Sequence, residues 1–219
     1  MIATGLSILI VTDNAGDDVG TCLSLVTESR IGRGCEVIVI DNASIDGTPE
    51  LIAARFPEVR LIVQSENHGV SGAHAIGFAA SRGAYLLLLS PDVLLTDPDA
   101  VAAMAARLDA HPDLGAIGAR PAPSDDSHQA GDAGGWRGVC VVMRREAVFA
   151  IGGLDGEGIG WRGRLEDAGW RVGDLPDIAA RCLRSGSAGN GDQSVFSTSP
   201  SIHSGWVSPT ERPTSLSPL

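Results

Sequence analysis

The sequence predicts an α/β protein whose sheet is mostly parallel and flanked by helices. Three observations predict it. Short, continuous apolar runs rich in branched residues recur along the chain. A single helix-length segment separates each early run from the next. Polar residues, mostly Asp and Asn, close the runs at their carboxyl ends. Unbroken apolar runs mark strands buried on both faces, and strand–helix alternation implies βαβ units.

Each element has its own signal. Residues 6–11 (LSILIV) form the first strand, and 17–26 a helix with Val19, Cys22, Leu23 and Val26 on one face. Residues 36–40 (EVIVI) form a second strand that ends at Asp41. In the turn Asp46-Gly47-Thr48-Pro49, Asp46 suits an Asx turn, Thr48 is expected to cap the next helix, and Pro49 to stand in its first turn, running to about Arg55. Residues 59–63 are a third strand, 70–81 a small-residue helix and 85–89 a fourth strand. A helix over 99–110 and a short strand over 114–118 follow. Residues 121–135 read as a loop, 139–143 as a strand, 144–150 as a helix and 170–174 as a last short strand; the Gly-rich stretch 151–166 gives no assignment. Residues 1–184 are thus expected to form one domain. In 185–219 Ser, Pro, Thr and Gly dominate, which predicts a disordered tail.

Composition narrows the function. All 16 basic residues are arginine, against 27 acidic ones, for a formal net charge of -11. Such a surface repels nucleic acid and anionic lipid, so neither is an expected partner. It also repels nucleotide phosphates, so a nucleotide site here calls for a metal or local donors. Without lysine there is no P-loop lysine and no Schiff base. Cys22, Cys35, Cys140 and Cys182 form no CxxC pair and read as thiols in a reducing compartment rather than zinc ligands. The first residues lack a basic leader, and apolar runs such as 84–89 are too short to span a bilayer, so a cytoplasmic protein is expected.

The polar strand ends are Thr12-Asp13-Asn14, Asp41-Asn42 and Ser90-Pro91-Asp92. In a parallel sheet they meet at one edge, where ligands bind. Taken alone, each also suits a turn or a helix cap.

Five segments in order, 6–14 (LSILIVTDN), 36–48 (EVIVIDNASIDGT), 66–77 (ENHGVSGAHAIG), 82–92 (RGAYLLLLSPD) and 144–155 (RREAVFAIGGLD), resemble glycosyltransferase family 2, especially its bacterial rhamnosyltransferase-like members. The resemblance covers about residues 6–177. It implies the GT-A fold of nucleotide-diphospho-sugar transferases. It implies a nucleotide-diphospho-sugar donor and a hydroxyl acceptor on a glycan, a lipid carrier or a small molecule. Asp41 matches the residue that bonds the base or ribose, where a carboxylate is a strong acceptor. Thr12 and Asp13 match the loop that wraps the nucleoside. Asn67 and Gly69 match the loop that leads to the donor-side helix, whose N-terminus would face the diphosphate. His74 stands where the family often has Asn, and a lone helical His is more often structural. Asp92 matches the metal-binding aspartate, which would hold Mg²⁺ or Mn²⁺ against the diphosphate.

The match weakens in the acceptor half. Counting back from Ala168-Gly169-Trp170-Arg171-Val172 puts Glu157 on the Glu of the family's Glu-Asp pair and Gly158 on the Asp that serves as base. Glu157 first, and Asp155 second, are the candidate substitutes. The position of a His that often follows the Pro-Asp pair, here Pro176-Asp177, falls on Cys182. Two functions follow: an inverting, metal-dependent glycosyltransferase, or a degenerate, non-catalytic or repurposed binding protein on the same scaffold. A dinucleotide-dependent oxidoreductase is disfavoured, because no GxGxxG follows the first strand.

Overall fold

The computed structural model describes residues 5–28, 35–95, 97–119, 140–154, 160–175 and 180–182. All belong to the unit Met1–Ser185. The expected loop 121–135, Asp155, Glu157, Gly158, Pro176-Asp177 and the expected tail 185–219 lie outside the described residues.

The alternation read from the sequence is present. The chain runs β1 (Leu6–Thr12), α1 (Gly16–Glu28), β2 (Glu36–Asp41), α2 (Thr48–Arg55), β3 (Arg60–Val63), α3 (Gly69–Ala80) and β4 (Tyr85–Leu89). It continues with β5 (Val93–Leu95), α4 (Ala100–Ala110), β6 (Leu114–Ala119), β7 (Cys140–Arg144), α5 (Arg145–Ala150), α6 (Trp161–Asp167), β8 (Arg171–Leu175) and β9 (Ala180–Cys182).

Seven strands form one sheet in the order β3-β2-β1-β4-β7-β6-β8. β1 pairs in parallel with β2 and β4, β2 with β3, and β6 with β8. β7 is antiparallel to β4 and to β6, so it alone is reversed within this sheet. The chain steps outward from β1 to β3, then returns to the other side of β1 as β4. That reversal makes a topological switch point between β1 and β4, and in such sheets ligands bind outside the carboxyl ends of the strands at such points.

Side-chain alternation along β1 explains the layers. Leu6, Ile8 and Ile10 face a core shared with Val19, Cys22 and Leu23 of α1, Ile52 of α2 and Met104 and Leu108 of α4. Leu9 and Val11 face the opposite core, with Ala73 of α3, Val148 of α5 and Leu165 of α6. Each such Leu or Ile, once buried, contributes about 1.5–3 kcal/mol. α3 lies close on β2: a Cβ at Gly77 would come within 2.6 Å of Ile40 Cδ1.

Three local features differ from the sequence reading. Thr48 does not cap α2. Gly47 is the N-cap with φ 85°, and no side chain caps the helix. Asp46 organises the turn instead: its Oδ1 accepts from Thr48 N at 3.0 Å and Thr48 Oγ1 at 2.5 Å. Second, β5 and β9 form a small antiparallel ribbon that no sequence signal announced. Third, α6 begins inside the unassigned Gly-rich stretch and ends one residue past it. Among the described residues no helix is long and apolar enough to cross a membrane.

Candidate functional site

Backbone pairing first brings three strand ends together. Thr12 and Asp41 are register partners at the ends of β1 and β2. Asn42 N donates to Thr12 O at 2.8 Å, and Gln64 N, just past β3, donates to Asp41 O at 2.9 Å.

Short polar side chains then tie the loops beyond these strands. Asp41 Oδ2 accepts from Ser44 N at 3.0 Å and closes the turn after β2. Within that turn Ala43 has φ 65°, and Asn14, after β1, has φ 49°. Asn14 N donates to Ser44 Oγ at 2.8 Å, and Ile45 N donates to Asn14 Oδ1 at 2.9 Å. The Asp13 carboxylate accepts from Asn14 Nδ2 at 2.7 Å and from Asn67 Nδ2 at 2.9 Å. Asn67 Oδ1 accepts from Asn42 Nδ2 at 2.7 Å and Gly69 N at 2.8 Å. His68 N donates to Asn42 Oδ1 at 2.9 Å.

Thr12, Asp13, Asp41, Asn67 and Gly69, all singled out in the sequence, therefore gather at the carboxyl ends of β1, β2 and β3. Asn14, Asn42 and Ser44 complete the network. The sequence offered a signal for the two asparagines, an Asn beside an Asp at adjacent strand ends. For Ser44 it offered none.

Against this bonding, two atoms stand out. Among the described residues, three buried side-chain polar atoms have no hydrogen-bond partner: Thr12 Oγ1, Asp41 Oδ1 and Arg164 Nε. The first two are on register partners at the strand ends. Both side chains are buried.

On the other side of β1, β4 ends at Leu89 and the chain turns at Ser90-Pro91-Asp92. Val93 N donates to Ser90 O at 3.0 Å, and the Ser90 hydroxyl bonds the Asp92 carboxylate. β9 places position 182 opposite Val93, so the residue aligned with the family's late His returns beside Asp92 in the backbone. Asp18, in the first turn of α1, is held above the usual carboxylate range by burial, then by the charges of Asp92 and Asp17. Among the described residues no three His, Cys, Asp or Glu side chains converge to form a metal cage. A hard divalent cation that bridges a diphosphate needs only one or two carboxylates, with phosphate and water as its other ligands, and Asp92 fits that need.

Other titratable groups read as structural. His74 is buried, its Nδ1 lies 3.0 Å from Val70 O, and burial lowers its pKa to about 4. Burial pushes the Cys22 and Cys140 thiols up to about 12, which makes them poor nucleophiles. Asp46 is held below its usual range, first by the Thr48 hydroxyl bond.

A family model described as glycosyl transferase family 2 matches residues 7–152. An uncharacterized protein of Mycobacterium tuberculosis is 34% identical over 112 residues, covering 49% of this chain and 32% of its own length. The succinoglycan biosynthesis protein ExoO of Rhizobium meliloti is 42% identical over 80 residues, covering 36% of this chain and 23% of its own length. The chain's match thus spans about a third or less of these relatives. A mannosyltransferase of Pyrobaculum calidifontis, solved in complex with GDP-Man and Mn²⁺, superposes with a TM-score of 0.68 at 22% identity, covering 83% of this chain and 57% of that one. The likeness shows the GT-A fold.

Proposed function

The chain belongs to glycosyl transferase family 2, and from that membership we propose that it transfers a sugar from a nucleotide-diphospho-sugar to a hydroxyl acceptor, with inversion and with a divalent cation. One observation carries the reading. Two buried, unpartnered oxygens, Thr12 Oγ1 and Asp41 Oδ1, belong to register partners at the strand ends where the nucleoside is expected. Leaving a buried acceptor unpaired costs about 1–3 kcal/mol. A ring N–H or a ribose hydroxyl supplies the missing partner.

Asp41 and Thr12 receive the base or ribose, and the loops of Asp13, Asn67 and Gly69 frame them. Asp92 holds Mg²⁺ or Mn²⁺ at the diphosphate, where the cation supplies positive charge that stabilises the leaving group. The solved mannosyltransferase with GDP-Man and Mn²⁺ supports this donor and cation chemistry. In the transfer step, Glu157, or Asp155 in its place, takes the proton of the acceptor hydroxyl. The oxygen forms its bond to the anomeric carbon as the bond to the diphosphate breaks on the opposite face. The acceptor is a glycan, a lipid carrier or a small molecule. Residues 1–184 form the transferring domain and 185–219 a dispensable tail.

Release of nucleoside diphosphate from UDP-, GDP- and dTDP-sugars, with a pool of glycan and lipid-carrier acceptors and Mn²⁺, tests the reading. Transfer with an inverted anomeric centre, abolished by chelation and by Asp92→Ala, is the expected result. Nucleotide binding without transfer points to the non-catalytic binding protein. Full turnover by the variant removes Asp92 from the metal site.

A further inference from the structure

The bonding around Asn67 separates two roles that the sequence merged. Its Oδ1 already accepts from Asn42 Nδ2 and Gly69 N, and its Nδ2 donates to Asp13 Oδ2. Those three partners come from the loop after β2, the first turn of α3 and the loop after β1 respectively. Asn42 is likewise engaged at both ends of its amide, by His68 N and by Asn67. Asp13 accepts on both oxygens, from Asn14 and Asn67. The same edge holds two oxygens with no partner, on Thr12 and Asp41, the residues that directly precede Asp13 and Asn42.

We propose that Asn67, with Asp13 and Asn42, is a positioning residue: it locks the three strand-end loops so that Thr12 Oγ1 and Asp41 Oδ1 stay in place for the nucleoside, and it does not bond the donor itself. Only an amide can fill this place. Asn67 must present an acceptor to two N–H groups and a donor to a carboxylate, and among side chains of this length only Asn does both. The link also fixes two loops of poor intrinsic stability, since Asn14 and Ala43 hold positive φ without being glycine. A preorganised pair binds a ligand without ordering the loops first, so the lock contributes to affinity through entropy rather than contact.

The inference rests on the nucleotide reading above, and a chemical swap tests it apart from that reading. Asn67→Asp keeps the acceptor toward Asn42 and Gly69 but sets a carboxylate against Asp13. Adding Asp13→Asn restores the pairing with the polarity reversed, because the new amide still accepts from Asn14. Two readouts are taken on each protein, along with thermal unfolding. One is amide exchange at Ile45, His68 and Gly69 without ligand. The other is calorimetric affinity for UDP, GDP and dTDP with Mn²⁺.

N67D is expected to speed exchange at all three amides and to weaken nucleotide binding about tenfold, the loss expected for one hydrogen bond to a charged group. The double variant D13N/N67D is expected to bring both back to within about threefold of the starting protein. Protection unchanged in N67D overturns the lock. So does a double variant that regains protection but not affinity, because Asp13 or Asn67 would then be a donor contact. If the unsubstituted protein binds none of the three nucleotides, the proposed function fails, and the exchange data still decide whether the loops are linked.

Discussion

At the amino ends of the parallel strands, side chains tie the loops to one another. Ser7 Oγ donates to Glu36 Oε1 at 2.5 Å and accepts from Gly83 N at 2.8 Å. Glu36 also accepts from Arg82 N. Arg144 donates to Leu114 O at 2.9 Å and Leu108 O at 2.5 Å, while Arg145 reaches Ser81 Oγ at 2.6 Å and the Gly83 carbonyl. The positive φ of 111° at this edge belongs to a glycine, Gly5. At the carboxyl ends the polar groups are as dense, yet Thr12 Oγ1 and Asp41 Oδ1 have no partner, and positive φ falls on Asn14 and Ala43 as well as on Gly47 and Gly69. One edge satisfies its polar groups and puts the left-handed backbone where it is cheap. The other retains strain and open valence, as sites that await a ligand do.

The largest effect belongs to the closed edge. A Cβ at Gly83 would meet Ser7 N at 2.6 Å and overlap the Gly5 carbonyl, both backbone that has nowhere to move. Gly83→Ala is expected to lower the unfolding free energy by about 3 kcal/mol and to leave nucleotide affinity of the folded protein unchanged. Urea unfolding beside calorimetry checks both halves. An affinity loss as large as the stability loss would break the division between edges.

At the open edge the balance should reverse. Asp41→Asn turns the free acceptor into a donor. It is expected to weaken nucleotide binding by about 2 kcal/mol, the worth of a hydrogen bond to a charged group, with stability unchanged or raised. Lower stability on urea unfolding would mean that Asp41 serves the fold.

Acid reports on the helix beneath the open edge. Burial lowers the His74 pKa from 6.5 to about 4. The folded protein therefore keeps the imidazole neutral where the unfolded chain is protonated. Stability is full above pH 6.5 and falls as pH drops toward 4, by at most about 1.4 kcal/mol per pH unit. An NMR titration that finds His74 protonated near pH 6.5 would contradict this.

The smallest effect tests strain. Ala43 holds φ 65°, which costs an L-residue about 1 kcal/mol. Ala43→Gly is expected to recover about that amount on thermal unfolding, and no gain would mean that the turn is relaxed.

Much of this division was legible in the sequence. The runs LSILIV, EVIVI and YLLLL carry enough branched and apolar surface to fix β1, β2 and β4 almost to the residue, and parallel pairing then gathers their polar ends. The direction of β7 was not legible, because an apolar run has no polarity along the chain. β5 and β9 are three residues each, too short for any periodicity. The role of Thr48 was misread because Thr, Asp and Gly all suit the cap position. Only geometry shows Asp46 bonding forward to Thr48. The sequence placed Asn67 at the donor but could not show that both ends of its amide are engaged.

The most direct test of the account is calorimetric titration of UDP, GDP and dTDP, with and without Mn²⁺, into the unsubstituted protein and Asp92→Ala. One nucleotide is expected to bind only with the cation, and the substitution to abolish this binding in the folded protein. Binding that ignores both the cation and Asp92, or no binding at all, would contradict the account.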